Sequence, residues 1–394
     1  MSTKYPGGLI KATVTPPTTS SAPGIWTLEQ AAYWRKQGSW PFPALPGLYS
    51  WGYNAQGQSG LGNITYYSSP KQVGALTTWL NIAGGGNHTI ATKTNGTLWS
   101  WGRNNNGQLG LGNITDYSSP KQVGALTTWS TITCGDSHTL ATKTDGTLWA
   151  WGYNGQGQLG LGNITYYSSP KQVGVLTTWS KIAGGGYFSL ATKTDGTLWS
   201  WGQNNYGQLG LGDTTNRSSP VQIGALTTWS KIAGGLSYTL ATKTDGTLWS
   251  WGRNNSGQLG LGNVTSYSSP KQVGALTTWS NITCGSQFTL ATKTDGTLWS
   301  WGRNFSGQLG LGDITNRSSP VQVGALTTWS KVAGGALHTI ATKTDGTLWS
   351  WGENNYGQLG LGNITYYSSP KQVGALTTWS KIAGGGNSSL AILS

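Results

Sequence analysis

The stretch His138-Thr-Leu-Ala-Thr-Lys-Thr-Asp-Gly-Thr-Leu-Trp-Ala-Trp-Gly152 consists of two β-prone runs joined by Asp145-Gly146. Asp-Gly between two such runs is a strong hairpin signal, because a type I′ turn needs positive φ at both central residues. Trp149 and Trp151 alternate with small or aliphatic residues, which is the period of a strand. The sequence therefore predicts a β-hairpin here, with a type I′ turn.

The rest of the unit extends this hairpin into a small sheet. Residues 126–133 are rich in Thr and Trp and predict one more strand, whereas Gly107–Gly112 and the Ser118-Ser-Pro120 step are typical of loops. The segment Gly107–Gly112 resembles a phosphate loop only superficially, since no strand–turn–helix context surrounds it. Each unit is thus predicted to be an antiparallel sheet of three to four strands.

The unit recurs seven times at a fixed spacing of 50 residues, in a register marked by Leu48, Leu98, Leu148, Leu198, Leu248, Leu298 and Leu348. Such a period indicates a solenoid, a propeller or an array. The first repeat begins at Leu48 without a preceding hairpin partner, and the last stops at Ser394 without its returning strand, so the two ends can complete one hairpin. We therefore predict an all-β, seven-bladed β-propeller over residues 48–394, closed by pairing of the N- and C-terminal strands.

Composition narrows the function. The net charge of +13 comes mostly from lysines repeated around the ring, at the Lys71 and Lys93 columns, and not from a basic run, so nucleic acid is not an expected partner. No apolar run reaches the 18 residues of a membrane span. No His, Cys, Asp or Glu cluster has metal-ligand spacing, and we predict no cofactor, no metal and no enzymatic activity. Cys134 and Cys284 fall three blades apart and are expected to be free thiols.

The near-identical repeats differ mainly at one end of each blade, which we call the variable rim. Three columns form it: the residue after each Trp-Gly strand, the residue three positions further on, and the residue before each entering strand. Phe305 lies between the first two columns. Exposed aromatic and Arg side chains among polar residues are typical of an adaptable binding surface, although drift in loops would also produce such variation. The binding candidates are Tyr53, Arg103, Tyr153, Tyr187, Tyr206, Arg253, Arg303, Phe305 and Tyr356.

Residues 1–47 differ from the repeats. The first 24 are rich in Pro, Ser and Thr and predict an extended arm. Thr27 and Gln30 form a capping box and Gly38 supplies a stop, so a short helix is expected at about 27–37. This segment resembles one in structural proteins of marine tailed bacteriophages, which favours an assembly tag that inserts into a phage particle; the alternative is a helix packed on the propeller face. The anchor candidates are Ile25, Trp26, Leu28, Tyr33, Trp34 and Trp40.

Three motifs of the repeat match a known family. The run Leu98-Trp-Ser-Trp-Gly-Arg-Asn-Asn-Asn-Gly-Gln-Leu-Gly-Leu-Gly112, the Ser118-Ser-Pro120 step and the hairpin from Gly135 to Gly146 resemble the regulator of chromosome condensation-type repeat. The resemblance covers about 350 residues and implies a seven-bladed propeller. It implies no single function, because the fold hosts many. The repeats depart from the family in the hairpin His column, where only His88, His138 and His338 keep His.

Two functions follow as hypotheses. In the first, the chain is a phage virion protein of the tail, neck or fibre, anchored to other virion proteins by residues 1–47. Its rim would then bind a host-surface glycan or protein, and its location would be the virion. In the alternative, it is a cellular regulatory propeller, either a GTPase exchange factor or a chromatin-binding module. The basic sequence, with a pI of about 9.6, is the main support for that alternative.

Overall fold

The computed structural model describes residues 46–394, which contain 28 β-strands and no helix. Within these residues no helix is long and apolar enough to cross a membrane. The predicted arm and short helix of residues 1–45 lie outside the described residues. The strands are β1 Gly47–Gly52, β2 Tyr67–Gln72, β3 Trp79–Gly84, β4 His88–Lys93, β5 Leu98–Gly102, β6 Tyr117–Gln122, β7 Trp129–Cys134, β8 His138–Lys143, β9 Leu148–Gly152, β10 Tyr167–Gln172, β11 Trp179–Gly184, β12 Phe188–Lys193, β13 Leu198–Gly202, β14 Arg217–Gln222, β15 Trp229–Gly234, β16 Tyr238–Lys243, β17 Leu248–Gly252, β18 Tyr267–Gln272, β19 Trp279–Cys284, β20 Phe288–Lys293, β21 Leu298–Gly302, β22 Arg317–Gln322, β23 Trp329–Gly334, β24 His338–Lys343, β25 Leu348–Gly352, β26 Tyr367–Gln372, β27 Trp379–Gly384 and β28 Ser388–Leu393.

The strands form seven antiparallel sheets of four, which confirms the predicted seven-bladed propeller. Blades 1 to 6 each take four consecutive strands, from β3–β6 to β23–β26. Blade 7 combines β27 and β28 with β1 and β2, and Leu48 of β1 pairs with Ile392 of β28. The first strand of each blade contacts the first strand of the next, so β3, β7, β11, β15, β19, β23 and β27 surround the axis. Closure leaves no exposed edge between the first and last blades.

The hairpin turn differs from the predicted type I′ turn. The Gly146 N–H donates to Lys143 O at 3.0 Å and the Lys143 N–H to Thr147 O at 3.0 Å, which encloses a three-residue loop. Only Gly146 has positive φ, at 78°, and no non-glycine residue of the described part does. The turn is therefore a type I turn followed by a left-handed glycine. Asp145 is required for a different reason, since its carboxylate accepts hydrogen bonds from the Thr147 N–H and Oγ1 at 2.9 and 2.7 Å.

The sequence-based prediction was also wrong about the outermost strand of each blade. Ser118 to Pro120, read as loop, lies inside strand β6, and the same holds in every blade. Proline lacks the N–H that a ladder needs, so it is usually excluded from strands. It is tolerated here because β6 is the edge of its sheet and pairs on one side only. Each blade consequently has four strands throughout.

Tryptophan fills the space between neighbouring blades. Trp101 of blade 1 is fully buried, and its Nε1–H donates to the Gln58 carbonyl of blade 7 at 2.9 Å. A Cβ on Gly60 would lie 2.7 Å from the same nitrogen, so this glycine must stay small. The same pairing recurs in blade 2, where Trp151 meets Gln108 and Gly110. The Gly-Gln-x-Gly-Leu-Gly loops therefore serve packing and not phosphate binding.

Most of the lysines lie over aromatic rings. In blade 2 the Lys143 Nζ is 3.7 Å from the centroid of Trp149 and 5.3 Å from that of Trp129. Such a cation is stabilised by the ring quadrupole. The same contact occurs at Lys93, Lys193, Lys243, Lys293 and Lys343, and a looser one over tyrosine occurs at Lys71, Lys121, Lys171, Lys271 and Lys371. Much of the positive charge thus has a packing role within each blade.

Candidate functional site

The variable rim lies on one face of the ring, which we call the long-loop face. It carries the 14-residue loops between the third and fourth strands of each blade, such as 53–66 and 103–116, and the residues before each second strand. The Arg103 N–H donates to Asn87 O at 2.9 Å, and the Tyr53 N–H to Asn387 O at 2.9 Å. Two of the three rim columns are therefore held side by side. The Asp-Gly turns form the opposite, hairpin face.

Three tyrosines from two blades form one cluster on this face. The ring centroid of Tyr53 is 4.8 Å from that of Tyr356 and 5.0 Å from that of Tyr66, and Tyr66 and Tyr356 are 5.6 Å apart. Tyr356 belongs to blade 6, whereas Tyr53 and Tyr66 belong to blade 7. Tyr66 is 44% exposed, so the cluster offers aromatic surface to a partner. The sequence-based candidates include Tyr53 and Tyr356 but omit Tyr66.

A second cluster joins blades 2 and 3. The ring of Tyr153 lies 4.7 Å from that of Tyr166 and 5.6 Å from that of Tyr187. Burial, followed by the charge of Asp136, raises the pKa of Tyr187, and the charge of Arg103 opposes this rise, so both charged side chains are within electrostatic range of the phenol. Burial raises the pKa of the Asp136 carboxyl above its usual range. The structure therefore brings three of the predicted residues together: Tyr153, Tyr187 and Arg103.

The remaining candidates form two arginine–aromatic pairs. The Arg253 guanidinium carbon is 4.9 Å from the ring centroid of Tyr206, on the preceding blade. Within one loop, the Arg303 guanidinium is 5.5 Å from the ring of Phe305. Tyr206 is 41% exposed and Phe305 is 64% exposed. Each pair thus presents an aromatic ring to solvent beside a guanidinium group.

The long-loop face carries two further columns of exposed residues that were not among the sequence-based candidates. Tyr66, Tyr166 and Tyr366 stand one residue before the fourth strand, and each is more than 40% exposed. Outside them lies a circle of isoleucine and valine that is 61–67% exposed, made of Ile64, Ile114, Ile164, Val264, Ile314 and Ile364. The first column varies between repeats and could have been found by the same comparison. The second is nearly constant, so only its exposure in the structure reveals it.

The axis is narrowed just below this face by backbone. The Gly86 N–H donates to Asp136 O at 3.1 Å and the Asp136 N–H to Gly186 O at 3.2 Å, and the pattern continues through every blade to Gly386 and Gly85. Seven such bonds surround the axis. A Cβ on Gly84 would come within 2.8 Å of the Gly385 Cα. Glycine occupies this column in five blades and Cys134 and Cys284 in the other two, where the inner strands converge on a cavity of about 140 Å³.

The histidines of this fold pair with hydroxyls but do not form a catalytic site. His138 Nε2 lies 3.0 Å from Ser189 Oγ, and His338 Nε2 lies 2.9 Å from Ser389 Oγ. All four side chains are fully buried or nearly so. No carboxylate orients either imidazole, and a substrate has no access to the serine, so the geometry of a triad is not met. Among residues 46–394 no three His, Cys, Asp or Glu side chains could hold a metal ion.

The shared Asp and Arg of repeats four and six form ion pairs. Arg217 Nη2 is 2.6 Å from Asp213 Oδ2, and Arg317 Nη2 is 2.5 Å from Asp313 Oδ2. The pairs are partly exposed and stabilise the loop by little. The six anchor candidates between Ile25 and Trp40 lie outside the described residues, so their role stays a prediction.

Comparison with known proteins agrees with this geometry. A sequence model described as the RCC1-like domain matches residues 48–329, and two RCC1-repeat models match residues 329–358 and 345–392. A comparison with curated proteins gave no match. Human WBSCR16 is 21% identical in sequence, with a TM-score of 0.80 over 89% of this chain and 99% of its own. Prp20p of Saccharomyces cerevisiae is 22% identical, with a TM-score of 0.78 over 89% and 93%. The chain belongs to the RCC1-like domain family.

Proposed function

We propose that the chain is a non-catalytic protein-recognition propeller that binds a protein partner through its long-loop face. The observation that carries this proposal is the concentration of exposed and half-buried aromatic and Arg side chains there, in the Tyr53–Tyr66–Tyr356 cluster and the Arg253–Tyr206 and Arg303–Phe305 pairs. Tyr, Phe and Arg are the residues enriched in interface cores and energetic hot spots. The invariance of the Asp-Gly face carries no weight here, because hydrogen bonds from Thr147-type residues account for it.

The charges of the face narrow the class of partner. Arg103, Arg253 and Arg303 are balanced by Asp116, Asp136 and Glu353 on the same face, so the face is close to neutral. A strongly charged partner such as DNA would need an excess of cations. The similar protein Prp20p binds Gsp1p and histones, and a second similar structure contains yeast RCC1 bound to Kap60. The nearly neutral long-loop face suits a folded, nearly neutral protein partner better than a basic histone tail.

The test compares two sets of four serine substitutions, one on each face of the ring. The first replaces Tyr53, Arg103, Tyr206 and Phe305 on the long-loop face, and the second replaces Leu126, Leu226, Leu276 and Leu326 on the hairpin face, each 48% exposed. Cross-linking in an extract of the source, with mass spectrometry, identifies partners of the wild type, and their affinities are then measured with purified proteins. The proposal requires a partner lost only with the first set. Equal retention by both variants would refute it.

A second proposal concerns location and rests on the sequence of residues 25–40 alone. There the resemblance to phage structural proteins favours a virion protein anchored by residues 1–47, with its rim directed at a host surface. Deleting residues 1–47 should abolish incorporation into particles and leave the propeller folded. Normal incorporation of the deletion variant would end this proposal and leave protein recognition by the propeller untouched.

A further inference from the structure

Four lysines occupy one level of the inner edge of the ring. Lys181, Lys231, Lys331 and Lys381 stand at the same position of β11, β15, β23 and β27, and we call them the axial lysines. The other three blades place Asn81, Thr131 and Asn281 there, so no acidic residue shares the level. Lys181 and Lys231 come from blades 3 and 4, and Lys331 and Lys381 from blades 6 and 7. Two adjacent pairs therefore lie on opposite sides of the axis.

A β-bulge explains why these lysines leave the blade core. Trp179 pairs with Lys193, but Lys181 pairs with the next residue back, Thr192, so Ser180 is the extra residue. The bulge reverses the alternation of side chains, and Trp179 and Lys181 point to opposite sides of the strand. Trp179 packs toward blade 2 with Leu148. The Lys181 ammonium instead donates to the Ser230 carbonyl of blade 4 at 2.5 Å.

The axial lysines lack the partners that most other cations of the described residues possess. Eleven lysines lie over aromatic rings, Arg253 and Arg303 do likewise, and Arg217 and Arg317 are ion-paired. Within residues 46–394 no carboxylate lies in ion-pair distance of any axial lysine. Lys231 and Lys331 donate only to backbone carbonyls and, for Lys231, to Asn281 Oδ1 at 3.3 Å.

The crowding of these ammonium groups has an electrostatic cost. Burial, followed by the charge of Lys181, lowers the pKa of Lys231, and burial with the charge of Lys381 lowers that of Lys331. Ammonium groups on neighbouring blades repel each other, and an anion bound between them would offset this repulsion. The carboxylate of the adjoining hairpin turn, Asp195, accepts hydrogen bonds from Thr197 at 2.9 and 2.7 Å and forms no ion pair with an axial lysine.

We propose that the axial lysines form a binding site for a small multivalent phosphate anion, entered from the hairpin face. The backbone ring at Gly85 and Gly86 surrounds the axis on the other side of the axial lysines. Two pairs of ammonium groups on opposite sides match an anion that carries charge at both ends. The hydrogen bonds to Ser230 and Ser380 carbonyls hold two of these ammonium groups in place without neutralising them.

Titration calorimetry with tripolyphosphate tests the site. The wild-type chain should bind one anion, and the variant K181Q/K231Q/K331Q/K381Q should bind at least ~10-fold more weakly, because the local positive potential is removed. The matched control K71Q/K121Q/K171Q/K271Q removes the same charge from the outer strands and should change the affinity by less than ~3-fold. Sodium sulfate at equal ionic strength should compete weakly.

The outcomes separate a site from a net-charge effect. Equal weakening in the axial and outer variants, or no binding by the wild type, would overturn the proposal. Thermal unfolding of each variant reports whether the propeller is intact. Should the fourfold axial variant fail to fold, the double variants K181Q/K231Q and K331Q/K381Q replace it, and each must weaken binding on its own for the proposal to stand.

Discussion

His88 Nε2 of blade 1 lies 3.1 Å from Thr139 Oγ1 of blade 2, and both side chains are buried. The Thr139 hydroxyl donates its proton to Gln108 O at 2.9 Å, so the imidazole must donate to the hydroxyl oxygen through Nε2–H. Its Nδ1 then acts as an acceptor and finds no partner in the described residues. Protonation would put a charge and an unpaired N–H into the interface between two blades.

This geometry predicts a stability that falls in acid. Burial lowers the pKa of His88 and His338 to about 4 and that of His138 to about 3, from 6.5. A folded pKa below the unfolded one means that the unfolded chain binds protons first, so stability is complete above pH 6.5 and is lost as pH falls toward 4. Each histidine should contribute up to about 3 kcal/mol to this loss.

The chain itself supplies the control for that prediction, because Phe188 and Phe288 occupy the same column in blades 3 and 5. We expect His138→Phe to leave the melting temperature at pH 7 nearly unchanged and to reduce its fall between pH 7 and pH 4.5. Calorimetry at both pH values measures the difference. An unchanged fall in the triple His→Phe variant would show that other groups govern acid unfolding.

Two glycines with similar backbone conformations should respond very differently to alanine. Gly146 and Gly124 have φ of 78° and 60°. A Cβ on Gly146 would lie 2.0 Å from the Thr177 carbonyl of the loop leading to blade 3, whereas a Cβ on Gly124 would meet nothing within 4 Å. Gly124→Ala should cost about 1 kcal/mol for the left-handed conformation alone. Gly146→Ala should cost at least about 3 kcal/mol, because backbone must move. Equal losses in denaturant unfolding would contradict this.

Much of the architecture could be predicted because a repeat reports each position seven times. The period, the Asp-Gly hairpin and the closure of blade 7 all follow from local patterns. The turn type could not be predicted in this way, because Asp145 is needed for its hydrogen bonds to Thr147 and not for a positive φ. The edge strand that contains Pro120 could not be predicted either. Proline normally argues against a strand, and only the position of β6 at the edge of the sheet permits it.

The candidate site could be predicted only in part. Rim variation pointed to Tyr53 and Tyr356, but their contact joins residues some 300 positions apart and appears only once blade 7 is assembled. The axial lysines were hidden by the bulge at Ser180, because a simple two-residue period would place Lys181 on the same side as Trp179. The alternation of residues along one strand does not reveal a bulge in its pairing with the neighbouring strand.

The two cysteines should be inert in the folded chain. Cys134 and Cys284 are free thiols in blades 2 and 5, and burial is the main cause that raises the pKa of both, for Cys284 to about 12. Since the thiolate is the reactive form, neither should react with Ellman's reagent at pH 8. Both should react at once in guanidinium chloride, which serves as the positive control. Rapid labelling of the native chain would show that the inner strands open readily.

Closure of the ring predicts that the chain can be reopened elsewhere. Trp379 pairs with Leu393 and Leu48 with Ile392, so blade 7 reproduces the pairing of the other six blades but lacks the covalent turn between its middle strands. A circular permutant would join Ser394, which stands in the Thr344 column, to Leu48 through Asp-Gly-Thr and begin at Thr247, the residue after an existing Asp-Gly turn. It exchanges one hairpin for another of the same geometry at no cost in blade packing, so its melting temperature should match that of the chain 46–394 within about 5 °C. A permutant that aggregates or melts far lower would mean that the order in which the blades form, and not the closed structure alone, determines folding.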